Sequence, residues 1–263
     1  MKNQISITTD YFRQYRKNLG FTNQADVRNF FGAKDIVPNV DLEYIKLLNK
    51  RLFDIVQKIN FTVSPEIRPE DLLTFKEEHI DRTFQIMKEN NIFPHLNNQG
   101  RRPEDVYFSW MRGYILVNYF LKALGFIFDV DTTNIDLIGD DDLKKIEIFK
   151  RTPKADLQIK VNKNELIRIE MQSGFTGTND IKQHKVLEAK RVFSESNVST
   201  LAMHFDMFNG QVAFIKLDNI EDTNVSWITR QQMEGQTVFN IDQNYFIWKI
   251  TDAPMKYSDI DFD

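Results

Sequence analysis

Residues 153–172 read PKADLQIKVNKNELIRIEMQ, and two alternating runs within them set the fold. Leu157, Ile159 and Val161 alternate with Asp156, Gln158 and Lys160; Ile167, Ile169 and Met171 alternate with Arg168, Glu170 and Gln172. A two-residue period is that of a half-buried strand, whose successive side chains point to opposite faces. Asn162-Lys163-Asn164 between the runs suits a three-residue hairpin loop, since Asn164 tolerates the left-handed backbone such loops need. Pairing Val161 with Glu165 then places Asp156 opposite Glu170, Gln158 opposite Arg168 and Lys154 opposite Gln172, all on one face. Opposed Cβ atoms stand roughly 4.5 to 5.5 Å apart. Two carboxylates that close repel unless positive charge lies between them. A divalent cation with oxygen ligands is the simplest remedy.

A Pro and an Asp opening one strand, then Glu-x-Lys on the next, mark the PD-(D/E)XK nuclease superfamily. Pro153, Asp156 and Glu170-x-Gln172 resemble that pattern, and within it the type II restriction endonucleases that carry Gln in place of Lys. Two departures stand out: Pro153 and Asp156 are not adjacent, and Gln172 has no charge. The resemblance covers roughly residues 104–217 as an order of helix, strand, strand, strand, helix, strand. It implies an α/β fold with a restriction-endonuclease-like core, a mixed β-sheet flanked by helices, and a helical N-terminal region. It further implies Mg²⁺ held by Asp156, Glu170 and the main-chain carbonyl of Met171. Gln172 would orient the attacking water, and the metal or Lys154 would supply the charge that Gln172 lacks. The implied activity is site-specific hydrolysis of double-stranded DNA by a homodimer, within a system that includes a cognate DNA methyltransferase.

Composition is compatible with this. The chain has 263 residues, 41% of them hydrophobic, with 22 Phe and no Cys. Lack of cysteine excludes a disulfide framework and a thiolate zinc site, so any metal must be held by oxygen or imidazole. No apolar run approaches the ~20 residues of a membrane span, and no basic-then-apolar leader opens the chain, which gives the expectation of a cytoplasmic protein. The net charge of −4 is unevenly spread. Residues 144–193 carry 12 Lys/Arg against 6 Asp/Glu, whereas residues 206–263 carry 4 against 10. A positive patch around acidic residues suits phosphate, although a mixed surface fluctuates this much by chance.

The chain divides into a mainly helical region, 1–100, and a catalytic core with C-terminal strands, 101–263. Asp41 is placed to cap an amphipathic helix through Ile59, and a second helix is expected from Glu70 to Asn90. The polar run Asn97 to Pro103 reads as a linker or DNA-facing loop. Pro103 opens a third helix expected to stop at Gly125, with a strand from Phe126 to Val130. Glu104 is either an extra site acid or a first-turn acid favoured by the helix dipole. Asp140-Asp141-Asp142 reads as a solvated turn.

In the polar loop after the hairpin, Ser173, Thr176, Thr178 and Asn179 are candidates for DNA contact. Lys182 and Lys185, on a helix expected from Asp180 to Ser196, are candidates for phosphate. Leu201–Asp206 and Gln211–Leu217 alternate around Asn209-Gly210, a strong hairpin signal, and His204 reads as a packed histidine. Three other readings compete with a restriction enzyme: a DNA-binding module with a decayed site, a repair or junction nuclease, and a structural domain with surface acids.

Overall fold

The computed structural model describes residues 8–33, 35–96, 101–139, 155–162, 165–231 and 235–262. Pro153, Lys154, the Asp140–Asp142 run and the tip of the Asn162–Asn164 loop lie outside them.

After two short helices, α1 (Thr9–Asn18) and α2 (Gln24–Phe31), the Asp41 carboxylate accepts the Tyr44 amide and starts α3 (Leu42–Thr62). That helix buries Ile45, Leu52, Val56 and Ile59, the stripe its periodicity demands. The second expected helix is α4 (Leu72–Lys76) and α5 (Arg82–Glu89), joined by a π-helical turn over Glu77–Asp81. Pro103 occupies the first turn of α6 (Pro103–Tyr119), where its missing N–H costs nothing.

The structure then departs from the sequence reading. The chain breaks at Phe120 and runs on as α7 (Leu121–Phe128), closed by Asp129 at φ 54°. Gly125 is therefore no terminator. It sits inside α7 because a Cβ there would come within 2.9 Å of the Val130 carbonyl oxygen. The segment expected as a strand from Phe126 is helix and turn, with Ile127 and Phe128 in the core. A short apolar run fits a buried helix as well as a strand.

The strand in this part of the chain is β1 (Ile135–Leu137), followed by β2 (Leu157–Asn162), β3 (Glu165–Gly174) and β4 (Asp180–Lys182). Then come α8 (Gln183–Ser196), β5 (Ser199–Asp206), β6 (Gln211–Lys216), β7 (Ile228–Arg230), β8 (Gln236–Asn240) and β9 (Phe246–Lys249). Six strands form one mixed sheet in the order β1-β2-β3-β5-β6-β9, and β4-β8-β7 form a smaller one. Among the described residues only β3 and β5 pair in parallel, through a crossover containing β4 and α8.

Alternation divides the two faces of the larger sheet. Ile167, Ile169, Leu201, Met203 and Phe205 share a buried cluster with α3, α6 and α7. Ala202, Ala213 and Ile215 face the other way, against Val186 and Ala189 of α8 and Phe239 of β8. The protein is thus α/β, with a mixed sheet flanked by helices. No helix among the described residues is long and apolar enough to cross a membrane.

The hairpin register is the expected one over Leu157–Ile169, Gln158–Arg168, Ile159–Ile167 and Lys160–Leu166. It shifts by one at the turn, where Asn162 and not Val161 faces Glu165. The extra residue makes a bulge.

Glu104 is 1% exposed, accepts the Asp41 amide at 2.7 Å and lies 3.3 Å from Arg102 Nε. It braces the start of α6 against the cap of α3. Burial alone would raise its pKa, but the hydrogen bonds from the Asp41 and Glu104 amides and from Arg102 bring it below the ordinary value. A carboxylate with a depressed folded pKa contributes stability at neutral pH that is lost as pH falls through that pKa. Glu104→Ala should lower the urea-unfolding free energy at pH 7 by about 2 kcal/mol, with a smaller loss near pH 3. A loss below about 0.5 kcal/mol at pH 7 would contradict the brace.

Candidate active site

A cleft of about 770 Å³ opens at the C-terminal end of β3. Its lining includes Glu170, Gln172, Ser173, Phe175, Thr176 and Thr178 from β3 and the loop beyond it. Asp180 and Lys182 come from β4, Lys185 from α8, His204 from β5, Arg230 from β7 and Arg112 from α6.

Glu170 is a buried acid of the cleft, 5% exposed. Lys185 Nζ lies 2.8 Å from each of its carboxylate oxygens. Burial pushes the Glu170 carboxyl up, and the charge and hydrogen bond of Lys185 oppose that rise. Gln172 Nε2 stands 3.5 Å from the same carboxylate. Lys185, expected as a phosphate contact, is therefore paired with the central acid. The pairing follows from packing: α8 docks through Val186 and Ala189 on the face of the sheet from which Glu170 points.

Asp156 arrives differently from the simple ladder. Its amide donates to the Ile169 carbonyl, although Ile169 already faces Leu157, so the register slips by one residue here. Asp156 Oδ2 accepts the Met171 amide at 2.7 Å. The side chain lines a small pocket with Gly113, Leu116 and Val117 of α6, Met171, Gln172 and Ser173. Asp156 thus reaches the main chain next to Glu170 from a pocket against α6, and the two do not stand as directly opposed side chains. Gln172 and Ser173 border both spaces.

Of the residues singled out from sequence, Glu170, Gln172, Ser173, Thr176, Thr178, Lys182 and Lys185 share the cleft, while Asp156 and Met171 adjoin it. Lys154 lies outside the described residues. Asn179 is buried, its amide nitrogen donating to Asp206 Oδ2 at 3.0 Å and its oxygen 2.8 Å from His204 Nε2. That occupancy makes it a fastening beneath the cleft. Gly174 allows this close packing, since a Cβ there would meet Asn179 Oδ1 at 2.8 Å.

Sequence reasoning did not place Arg230, Asp180, Phe175 or Arg112 in a site. Arg230 clamps Asp180 through Nε at 2.9 Å and Nη2 at 3.2 Å, a contact between residues fifty apart that no local pattern announces. Phe175 and Arg112 stack with 4.3 Å from guanidinium carbon to ring centroid. The lone cation of α6 was the available signal. His204 was read as packed, which it is, but it also floors the cleft opposite Gln172 in the ladder.

Among the described residues no group of three or more acidic or histidine side chains gathers in metal-binding proximity. Asp156 and Glu170, expected to hold Mg²⁺, offer two carboxylates, a number that ion takes from a protein, but they line separate spaces, Asp156 the pocket against α6 and Glu170 the cleft. A buried carboxylate matched to a single ammonium, as Glu170 is, is also a group that a further cation favours in its charged form.

No family model matches the chain, and no curated protein is detectably similar to it. Among solved structures, Hjc, a Holliday junction resolvase from the archaeal hyperthermophile Archaeoglobus fulgidus, is similar with a TM-score of 0.26 and 13% identity. The likeness covers 36% of this chain and 66% of that one, too slight to bear on fold or function.

Burial depresses the His204 imidazole to about 4, with Asp206 and Asp180 pulling the other way. An unfolded histidine binds its proton near 6.5, so the unfolded state takes up more protons between these values and stability falls as pH drops through the interval. His204→Gln should flatten the loss of melting temperature between pH 6.5 and pH 4. An unchanged profile would mean that His204 is not held neutral.

Proposed function

We propose that the cleft is the active site of a metal-dependent deoxyribonuclease of the restriction type, hydrolysing phosphodiester bonds in double-stranded DNA as a homodimer. The observation that carries this reading is the buried Glu170–Lys185 pair at the end of β3, in a cleft that also holds Arg112, Lys182 and Arg230. A cleft with more cations than acids attracts phosphate, and an acid kept at its centre against the cost of burial needs a chemical reason.

Asp156, Glu170 and the Met171 carbonyl are the residues that would hold Mg²⁺. When bound, the ion lowers the pKa of a water and neutralises charge on the phosphate. Gln172 orients the attacking water through its amide, which both donates and accepts. Lys185 takes the role that Lys has in Glu-x-Lys, reaching Glu170 from the helix and not from the strand. It stabilises negative charge as the phosphate becomes more crowded with oxygen. Ser173, Thr176, Thr178 and Lys182 contact backbone phosphates. Two copies related by a two-fold axis give one cut per strand of a symmetric site, and a DNA methyltransferase of the same system protects the host sequence.

A second reading, a DNA-binding module without cleavage, draws support from the engagement of both Glu170 oxygens by Lys185. Incubation with plasmid DNA and Mg²⁺, then with EDTA, separates the two. Discrete fragments that need Mg²⁺ support the restriction enzyme; retardation without cutting supports the module.

Asp156→Asn and Glu170→Gln should each slow single-turnover cleavage by at least about 10²-fold. Binding of uncut DNA should be preserved or tightened, because a source of phosphate repulsion is gone. Ca²⁺ should permit binding with little cleavage. Wild-type rates in either variant would remove that residue from the chemistry.

A further inference from the structure

We infer that Arg112 forms a separate phosphate-binding subsite on the α6 wall of the cleft. This rests on the reading that the cleft receives DNA, and it adds a residue that the sequence pattern does not reach.

Arg112 is half-buried, with its guanidinium carbon 4.3 Å from the centroid of the Phe175 ring and 5.8 Å from that of Phe108. Beyond these ring contacts it makes no hydrogen bond or ion pair with any described residue. Comparable cations do have acids: Lys185 has Glu170, Arg230 has Asp180, and Arg191 has Glu188 and Glu195. Burial without a counter-charge lowers the Arg112 pKa, a cost that an ordinary structural arginine avoids by pairing.

The Phe175 ring covers one side of the guanidinium. A planar fork held this way suits two oxygens of one phosphate, which an ammonium cannot match. The hydroxyls of Ser173, Thr176 and Thr178 line the same space. Lys182, also without an ion pair among the described residues, enters it from the α8 side. Arg112 on α6 and Lys182 at the end of β4, just before α8, therefore reach the cleft from opposite faces of the larger sheet, with Glu170 and Lys185 in the cleft they share. One strand crossing that cleft could give a phosphate to each.

The test is equilibrium binding of a short DNA duplex by the full chain in EDTA, where nothing is cut, across 50–200 mM salt. Arg112→Gln should weaken binding about tenfold and reduce the slope of log affinity against log salt by about 0.9, one phosphate contact. Arg112→Lys should keep the slope and recover only part of the affinity. Melting temperature should be unchanged or higher in Arg112→Gln, because an unpaired half-buried charge has been removed. Equal affinity and slope in wild type and Arg112→Gln would overturn the subsite while leaving the nuclease reading intact. A wild-type protein that binds no DNA would overturn the nuclease reading and the subsite together.

Discussion

Burial of the Glu170 carboxylate against Lys185 is the constraint on which the rest of the site depends. Burial raises the pKa of the Glu170 carboxyl and Lys185 opposes the rise, and removing one partner of such a pair typically costs about 3–5 kcal/mol. Lys185 must therefore be held in place, and several contacts far apart in sequence hold it. Val186 and Ala189 fasten α8 to the sheet. Asp180, at the start of the preceding strand, is clamped by Arg230. Asn179, His204 and Asp206 lock the turn beneath. The smaller sheet, which looks peripheral, anchors the approach to α8.

The parallel β3–β5 pair explains why the site lies where it does. Parallel neighbours need a crossover, and this one carries β4 and α8 from the end of β3 back to the start of β5. The end of β3 is thus where the strand, the loop with Phe175 and the start of the crossover converge. α6 approaches from the other face and brings Arg112. A cleft supplied from both faces of one strand end can hold an acid, its counter-ion and further cations without crowding them onto a single element.

What was legible in the sequence follows the range of the physics. The two-residue period gave the β2–β3 register from Leu157 to Lys160, and Asp41 and Pro103 gave two helix starts, because these signals are local. The slip at Asp156 depends on amide contacts made by Ile138 and Gly139 to its carbonyl, and no pattern within the hairpin encodes them. Gly125 misled because glycine serves both helix ends and close approaches, and only the Val130 carbonyl shows which. Lys185 was recognised as a basic residue near the site, but its partner is fifteen residues away across a crossover. The expected register pointed to Lys154 for a cation opposite Gln172, since strand neighbours are all that register can supply.

The most direct measurement is single-turnover cleavage in Mg²⁺ by Lys185→Met and by the same variant carrying Gln172→Lys. Position 172 is two residues beyond Glu170 on the same face of β3, with its side chain 3.5 Å from the carboxylate. If Lys185 supplies the charge that the strand lacks, Lys185→Met is inactive, and adding lysine at position 172 restores measurable cutting. Cleavage by Lys185→Met at the wild-type rate would contradict the claim that this pair is the centre of the site.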